Sequence, residues 1–426
     1  MNQRETGDLG QGSVGKLLLR LALPTITAQL VNALYNMVDR IYIGHIPVVG
    51  RTALTGVGVC MSLIMIISAF AALTAMGGAT RASIFLGRGD RAGAEKILGN
   101  CVTGAVSAGL ILTVVFLIFS RPLLMAFGAS EETIGYAVQY MKIYALGTVF
   151  VELALGLNAF ITAQGFASVA MVSVLIGAVA NMILDAVLIL GLGMGVAGAA
   201  LATIISQGLS ALWVVRFLLG KKTGLRIRRE NLGLDWKLYG PCLALGLSPF
   251  IMQSTEGVIS VCFNASLQRY GGDLAVGAMT ILASVMQFSM LPLQGLTQGA
   301  QPIISYNFGA KNARRVKSAF RLLLICCLSY SALLWLLAMV FPGTLASLFA
   351  TDKTLISYSA WAMRIYMAAS VIFGAQIACQ QTFIALGNAK PSLFLAVLRK
   401  IILLIPLILI LPLLFRTGEE KAMAVF

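Results

Sequence analysis

Residues 141–144 read MKIY, and residues 363–366 read MRIY, a shift of 222 positions. The same shift carries Gly87 onto Gly309, Phe127 onto Phe349, Tyr136 onto Tyr358 and Gly165 onto Gly387. Pro24 pairs with Pro249 at 225, a three-residue drift that one loop absorbs. A register this constant marks a duplicated unit. Composition says what kind of unit it is. Of the 426 residues 59% are apolar and 11% charged, with a mean hydropathy of +0.90, where a soluble protein has roughly 45–50% and about 25%. A water-covered surface needs more charge than that. Soluble enzymes, nucleic-acid binders and disordered chains are therefore excluded, and the chain reads as an integral membrane protein. Its net charge of +15 then belongs to the loops that orient it. Seven cysteines, an odd number, all lie in apolar stretches, which argues against a disulfide framework.

A spanning helix needs about 20 mostly apolar residues. That ruler predicts eleven, at 17–43, 53–79, 95–120, 133–160, 167–190, 194–218, 238–264, 274–304, 316–340, 355–384 and 392–415. None shows the polar–apolar alternation of a membrane barrel. With six helices to a half, both halves enter the membrane the same way, so the repeat is parallel and the cavity lies between the halves. The expected fold class is an all-α polytopic membrane protein of two pseudo-symmetric six-helix bundles. Residues 1–218 form the first, 219–237 a solvated cytoplasmic linker, and 238–426 the second. The register places a twelfth helix at 415–440, whereas the sequence ends at Phe426 with RTGEEKAMAVF, too short and too charged to span. The second bundle is thus expected to hold five complete helices, its twelfth missing. The polar N-terminus (Met1 to Gly15) is not expected to be a cleaved leader.

An inside N-terminus puts most of the 31 cations on the cytoplasmic side. These are Arg4, Lys16 and Arg20, then the groups Arg81–Lys96, Arg216–Lys237 and Lys311–Arg321, and finally Lys390, Arg399 and Lys400. The opposite orientation inverts the ratio.

Four carboxylates fall within predicted helices: Asp39, Glu152, Asp185 and Glu256. A charge at bilayer depth costs roughly 2.5–3.5 kcal/mol, so such groups face polar cavities and carry function. Asp185 follows Asn181 by four positions, on one helix face. The first helix carries a polar stripe of Gln29, Asn32, Asn36 and Asp39, and the fourth a face of Tyr136, Tyr140 and Tyr144 with Asn158 further on. Asp39 and Asp185 reach similar depth in the outer half, where they could share a proton or hold a cation. The alternative for Asp39 is a helix-end pair with Arg40. The repeat maps Asp185 to Leu407, Asn181 to Leu403 and Asp39 to Asn264, so the acidic cluster belongs to the N-terminal half alone. The other half offers Glu256 and a tenth helix with Gln376, Gln380 and Gln381, while Glu152 lies nearer the inner side. Met286 and Met290 could line a pocket, and are equally ordinary as core or lipid-facing residues.

Catalytic parts are absent. GQGSVGKL (residues 10–17) has phosphate-loop spacing but ends in Leu and follows no strand. His45 is the only histidine, which excludes His-rich metal sites, and no G-x-S-x-G elbow occurs. With no nucleotide site, the class left is a secondary transporter, not an enzyme.

The residues resemble the multidrug and toxic compound extrusion (MATE) family, in its multidrug-exporting branch typical of Gram-positive bacteria. The similarity covers nearly the whole chain. It is carried by LPTITAQLVNALYNMVDRIYIGH (residues 23–45), GMGVAGAALATIISQ (193–207), PLQGLTQGAQPIISYNFGAKN (292–312) and ALGNAKPS (385–392). The resemblance implies a V-shaped pair of bundles in the bacterial inner membrane that exports small organic cations in exchange for protons or sodium. It implies an ion site at Asp39, Tyr140, Asn158, Asn181, Asp185 and Thr203. Glu256 is similar to the helix-seven Glu of sodium-coupled members, but their acid in helix ten is replaced here by glutamines, which argues against a sodium site in the second half. With two carboxylates at matched depth in the first half, the proton is the preferred ion. Gln29, Asn32, Asn36, Glu152, Glu256, Met286, Gln376 and Gln380 are the expected substrate-cavity residues. No cofactor, metal or nucleic acid is expected, and the chain is expected to be a monomer. A lipid-linked sugar flippase of the same superfamily would want a cationic cavity, and a channel would want a pore ring. Saturable exchange against protons separates these readings.

Overall fold

A computed structural model describes residues 9–46, 49–415 and 417–426, so Arg4 lies outside the described residues. The described residues are helical throughout their long elements. Spans one to three are Val14–Gly44, the run Gly50–Ala71 continued through a π-turn at Ala72–Met76 into Gly77–Gly87, and Arg91–Ala126. The fourth is Ile134–Leu146 plus Thr148–Ala163, bent by 59°. The fifth is Ala167–Asp185, prolonged by a π-turn at Ala186–Gly191, and the sixth Gly195–Leu219. The ninth is Ala313–Val340 and the tenth Lys353–Tyr366 plus Ser370–Ala385, bent by 51°. The eleventh is Ala389–Leu414, with a π-turn at Leu398–Leu404.

The helix Trp236–Gly309 is too long for one crossing, and its continuity fails at Gly272, where φ 64 and ψ −162 are open to glycine. It folds back there. A Cβ on Gly77 would meet Cys242 O at 2.0 Å and one on Gly87 would meet Tyr306 O at 2.0 Å. Ten residues of helix separate Gly77 from Gly87, about 15 Å, so positions 242 and 306 lie at the same face. Residues 236–271 and 273–309 are therefore the seventh and eighth spans. Among the described residues the chain holds eleven spans. The eight-residue helix Gly418–Val425, closed by a Thr417–Glu420 capping box, rests its Val425 on the cluster around Phe263. No twelfth span occurs among the described residues.

The repeat is conformational as well as textual. Both bends fall one shift apart, at Gly147 and beside Ala369. Gly165 and Gly387 both take positive φ, 90 and 73. Asp90 and Asn312 cap the third and ninth spans through equivalent bonds from Gly93 N (2.8 Å) and Arg315 N (3.2 Å). Side chains such as Leu110, Ile111, Val114 and Ile118 of the third span point outward, as lipid-facing residues do.

The closest approaches between the two halves lie toward the face that bears the loop cations. A Cβ on Gly309 would meet Ile84 O at 2.0 Å and one on Gly299 would meet Ala22 Cα at 2.6 Å. Thr25 donates to Gly295 O at 2.6 Å, and Gln301 to Thr80. Arg315 gathers the carbonyls of Leu9, Gln11 and Gly12, so the N-terminal segment straps onto the second half.

The linker is largely exposed, as expected, and is also anchored at a few points. Gln164 Oε1 accepts from Thr223 Oγ1 and Leu225 N, both at 2.9 Å, and Thr223 and Leu225 are buried. Glu95 holds Arg228 at 2.7 Å and accepts from Arg226 N. Buried polar groups need partners, and the linker supplies them to the ends of the third and fourth spans.

Candidate functional site

A narrow cleft opens among the first, fourth, fifth and sixth spans of the N-terminal half. Its polar wall carries Asn32, Tyr35, Asn158, Asn181, Thr203 and Gln207. Spacing explains this wall: Asn32 and Tyr35 are three apart and Thr203 and Gln207 four apart, so each pair shares one helix face. Asp39 follows Tyr35 by four and Asp185 follows Asn181 by four, which places both carboxylates one helical turn beyond the cleft. They are 4% and 0% exposed and neighbour one another where the first and fifth spans pack together. Asp39 makes no ion pair with Arg40, whose side chain is exposed, so the helix-end alternative for Asp39 is not what the structure holds.

Around the pair sit the phenols. Tyr140 is buried and stacks on Tyr144 at 6.1 Å. Thr203 Oγ1 donates to Ala199 O at 3.0 Å. Tyr35 and Gln207 line the same cleft. Asn158 is fixed by a 3.2 Å bond from its amide to Ala170 O. Oδ1 of Asp39, both carboxylate oxygens of Asp185 and both amide atoms of Asn181 are buried without a hydrogen-bond donor or acceptor partner. Two ionised carboxylates have no proton to place between them. One added proton, or a small cation, satisfies several of these atoms together.

The structure thus brings together Asp39, Asp185, Asn181, Tyr140, Asn158, Thr203 and Asn32. The sequence reading missed Tyr35 and Gln207, although each continues a stripe already visible in the pattern. Asn36 is on the same helix, its amide turned back to Asn32 O at 2.6 Å.

Other expected cavity residues go elsewhere. Gln29 bonds Gln298 of the eighth span at 3.2 Å, and so bridges the two halves. Glu152 is fully buried against Thr74 of the second-span π-turn, which donates to it at 3.3 Å, and it does not line the cleft. Helix rotation decides this, since Glu152 lies six positions from Asn158 and takes another face. Met286 packs with the core cluster around Val285, its ordinary reading.

The second half differs in chemistry. Glu256 of the seventh span is ion-paired to Lys400 of the eleventh, whose side chain is 5% exposed. Lys400 also donates to Met252 O at 3.4 Å. Arg399 donates to Gln376 Oε1 at 2.6 Å and lies over the Phe373 ring at 4.4 Å, while Gln376 donates to Gln380. The sequence reading set Arg399 and Lys400 among the face cations. That is corrected here: they lie ten and eleven positions into Ala389–Leu414, and the π-turn at Leu398–Leu404 turns them into the bundle.

The comparisons with known proteins agree with this architecture. The MatE family model matches twice, over residues 24–187 and again over 249–410. The chain is 25% identical over 405 residues to the multidrug export protein MepA of Staphylococcus haemolyticus, covering 95% of this chain and 88% of that one. MepA of Staphylococcus aureus strain N315 is 25% identical over 402 residues, covering 94% and 88%. Among solved structures, the MATE multidrug transporter DinF-BH superimposes with a TM-score of 0.90 at 33% identity, over 99% of this chain and 94% of that one. An outward-facing multidrug resistance MATE transporter of the MOP superfamily gives the same TM-score at 21% identity, over 99% and 94%, and so speaks for the fold.

Proposed function

The chain belongs to the MatE family and is a multi-pass membrane transporter, and from that premise we propose that it exports drug-like organic cations in exchange for protons. One observation carries the coupling: Asp39 and Asp185 face one another, buried, one helical turn beyond a polar cleft, with no acidic counterpart at the equivalent positions Asn264 and Leu407. A proton held between them halves the charge of the pair and lets the surrounding helices close. Its release restores the second charge, which draws the helices toward water or toward a cationic drug. Tyr140, Thr203, Asn158 and Asn181 set the polarity of the site and orient the carboxylates.

The chain divides into bundles 1–218 and 238–426, joined by 219–237, with the face of loop cations toward the cytoplasm. The glycine-tight contacts at that face support a state closed to the cytoplasm and open outward, one of the two that alternating access needs. The transporter works as a monomer without cofactor, in the bacterial cytoplasmic membrane. The test is efflux from proteoliposomes under an imposed pH gradient, with and without sodium. Uphill dye movement driven by pH alone is expected. Movement that follows sodium at equal pH overturns the choice of ion, and no coupled movement under either gradient overturns the antiport reading.

A further inference from the structure

The repeat shift turns the N-terminal cleft into a map of its counterpart. Ala154, Asn158, Gly177 and Ala178 line the cleft in the first half. Moved by 222 they become Gln376, Gln380, Arg399 and Lys400. These four residues are in contact with one another or with shared partners. Gln376 accepts from Arg399 and donates to Gln380, while Gln380 and Lys400 both reach Met252, at its Sδ (3.0 Å) and its carbonyl. The π-turn of the eleventh span begins at Leu398, on the residue before this cationic pair, and such turns in long helices concentrate at functional positions.

Charge decides what this place would take. Within the spans of the second half Glu256 is the single carboxylate; Asp273 and Asp352 sit at helix ends. It is committed to Lys400. Arg399 has five donors, of which the structure engages one, toward a neutral amide, with its flat face on Phe373. One carboxylate thus serves two cations, so the group carries one surplus positive charge at bilayer depth, where an unmatched charge is costly, while the planar fork of Arg399 fits an oxyanion.

Resting on the exporter reading above, we infer that the C-terminal half carries an oxyanion subsite, built by Arg399 with Lys400, Gln376 and Gln380, for the carboxylate or sulfonate of a zwitterionic or anionic amphipathic substrate. The two halves then divide the substrate between them. The cationic end faces the acidic N-terminal half and the anionic end the basic one.

The experiment compares rhodamine B, which carries a free carboxylate, with its ethyl ester, in which that carboxylate is masked. Binding to the purified full chain is followed by fluorescence polarisation. In Arg399→Gln the affinity for rhodamine B is expected to fall about ten- to hundredfold more than that for the ester, the weight of one charge-assisted contact. Arg399→Lys keeps the charge and is expected to recover part of the difference. In Lys400→Met, which frees Glu256, the ester is expected to bind more tightly and rhodamine B more weakly. Equal loss of both dyes, or no loss of either, overturns the subsite and leaves the exporter reading standing. An unaltered chain that binds and exports neither dye overturns both.

Discussion

The two halves share a backbone and differ in what it is used for. At one position of the repeat the fifth span offers Gly177 and Ala178, which leave room for a cleft; at the same position the eleventh offers Arg399 and Lys400. Asp185, fully buried beside Asp39, becomes Leu407, which faces outward at 49% exposure. Caps, bends and left-handed turns recur, so duplication preserved the conformation. The chemistry diverged: the first half concentrates unmatched negative charge and the second an ion pair with a surplus cation. A symmetric scaffold with unequal lobes fits the proposal of an ion coupled in one lobe and cargo read in the other.

The largest effect that would break this comparison comes from the carboxylates. Asp39→Asn and Asp185→Asn keep shape and remove titration, and each is expected to lower pH-driven efflux more than tenfold, to background, at unchanged expression. Leu407→Ala, the equivalent position in the other half, is expected to leave efflux within twofold. Full efflux in the double Asn variant would remove the site from the first half.

The contact between the halves comes next. Leucine at Gly309 cannot be placed without moving the Ile84 backbone, 2.0 Å from its Cβ. Gly309→Leu is expected to hold the cation-bearing face open and cut transport severalfold or more. Cys101 and Cys242, both buried now, should then react with a water-soluble maleimide added from that face. Unchanged labelling would mean that the halves seal elsewhere.

The Glu256–Lys400 pair gives a smaller effect, confined to the second half. Glu256→Gln leaves a buried ammonium without its carboxylate. Breaking a fully buried pair costs about 3–5 kcal/mol; with the Glu256 side chain 55% exposed, a loss of about 1–2 kcal/mol is expected after screening. It is read as a lower melting temperature in detergent, restored in the double variant Glu256→Gln, Lys400→Met. The smallest effect sharpens the repeat itself. Gly89 and Lys311 occupy equivalent left-handed positions, φ 81 and 57. Lys311→Gly is expected to stabilise by about 0.5–1 kcal/mol and Gly89→Ala to destabilise by about 1 kcal/mol. Identical responses at both sites would argue against an equivalent turn.

Much of this was legible from the residues. The positions of the spans emerged within a few residues, because a run of apolar side chains has no alternative to lipid once it is long enough. Where the ruler failed it failed at the ends. The second span continues to Gly87 and the third starts at Arg91, since helices run on past the bilayer under their own hydrogen bonds. The stripe Asn32, Asn36, Asp39 and the pair Asn181, Asp185 were visible by spacing. Glu152 and Gln29 were visible as polar residues, yet their faces point to Thr74 and Gln298 rather than to the cleft.

Sequence by itself determined the class, the duplication and the asymmetry of charge, because hydropathy, register and residue type are properties of the chain that no packing can alter. Tertiary structure alone decided which charges meet. Whether Asp39 turns to Asp185 or to Arg40, and whether Lys400 serves a loop or Glu256, depends on helix rotation and on a π-turn that shifts the side chains following it on the helix. In a medium where each uncompensated charge costs several kcal/mol, that rotation decides which charges end up paired.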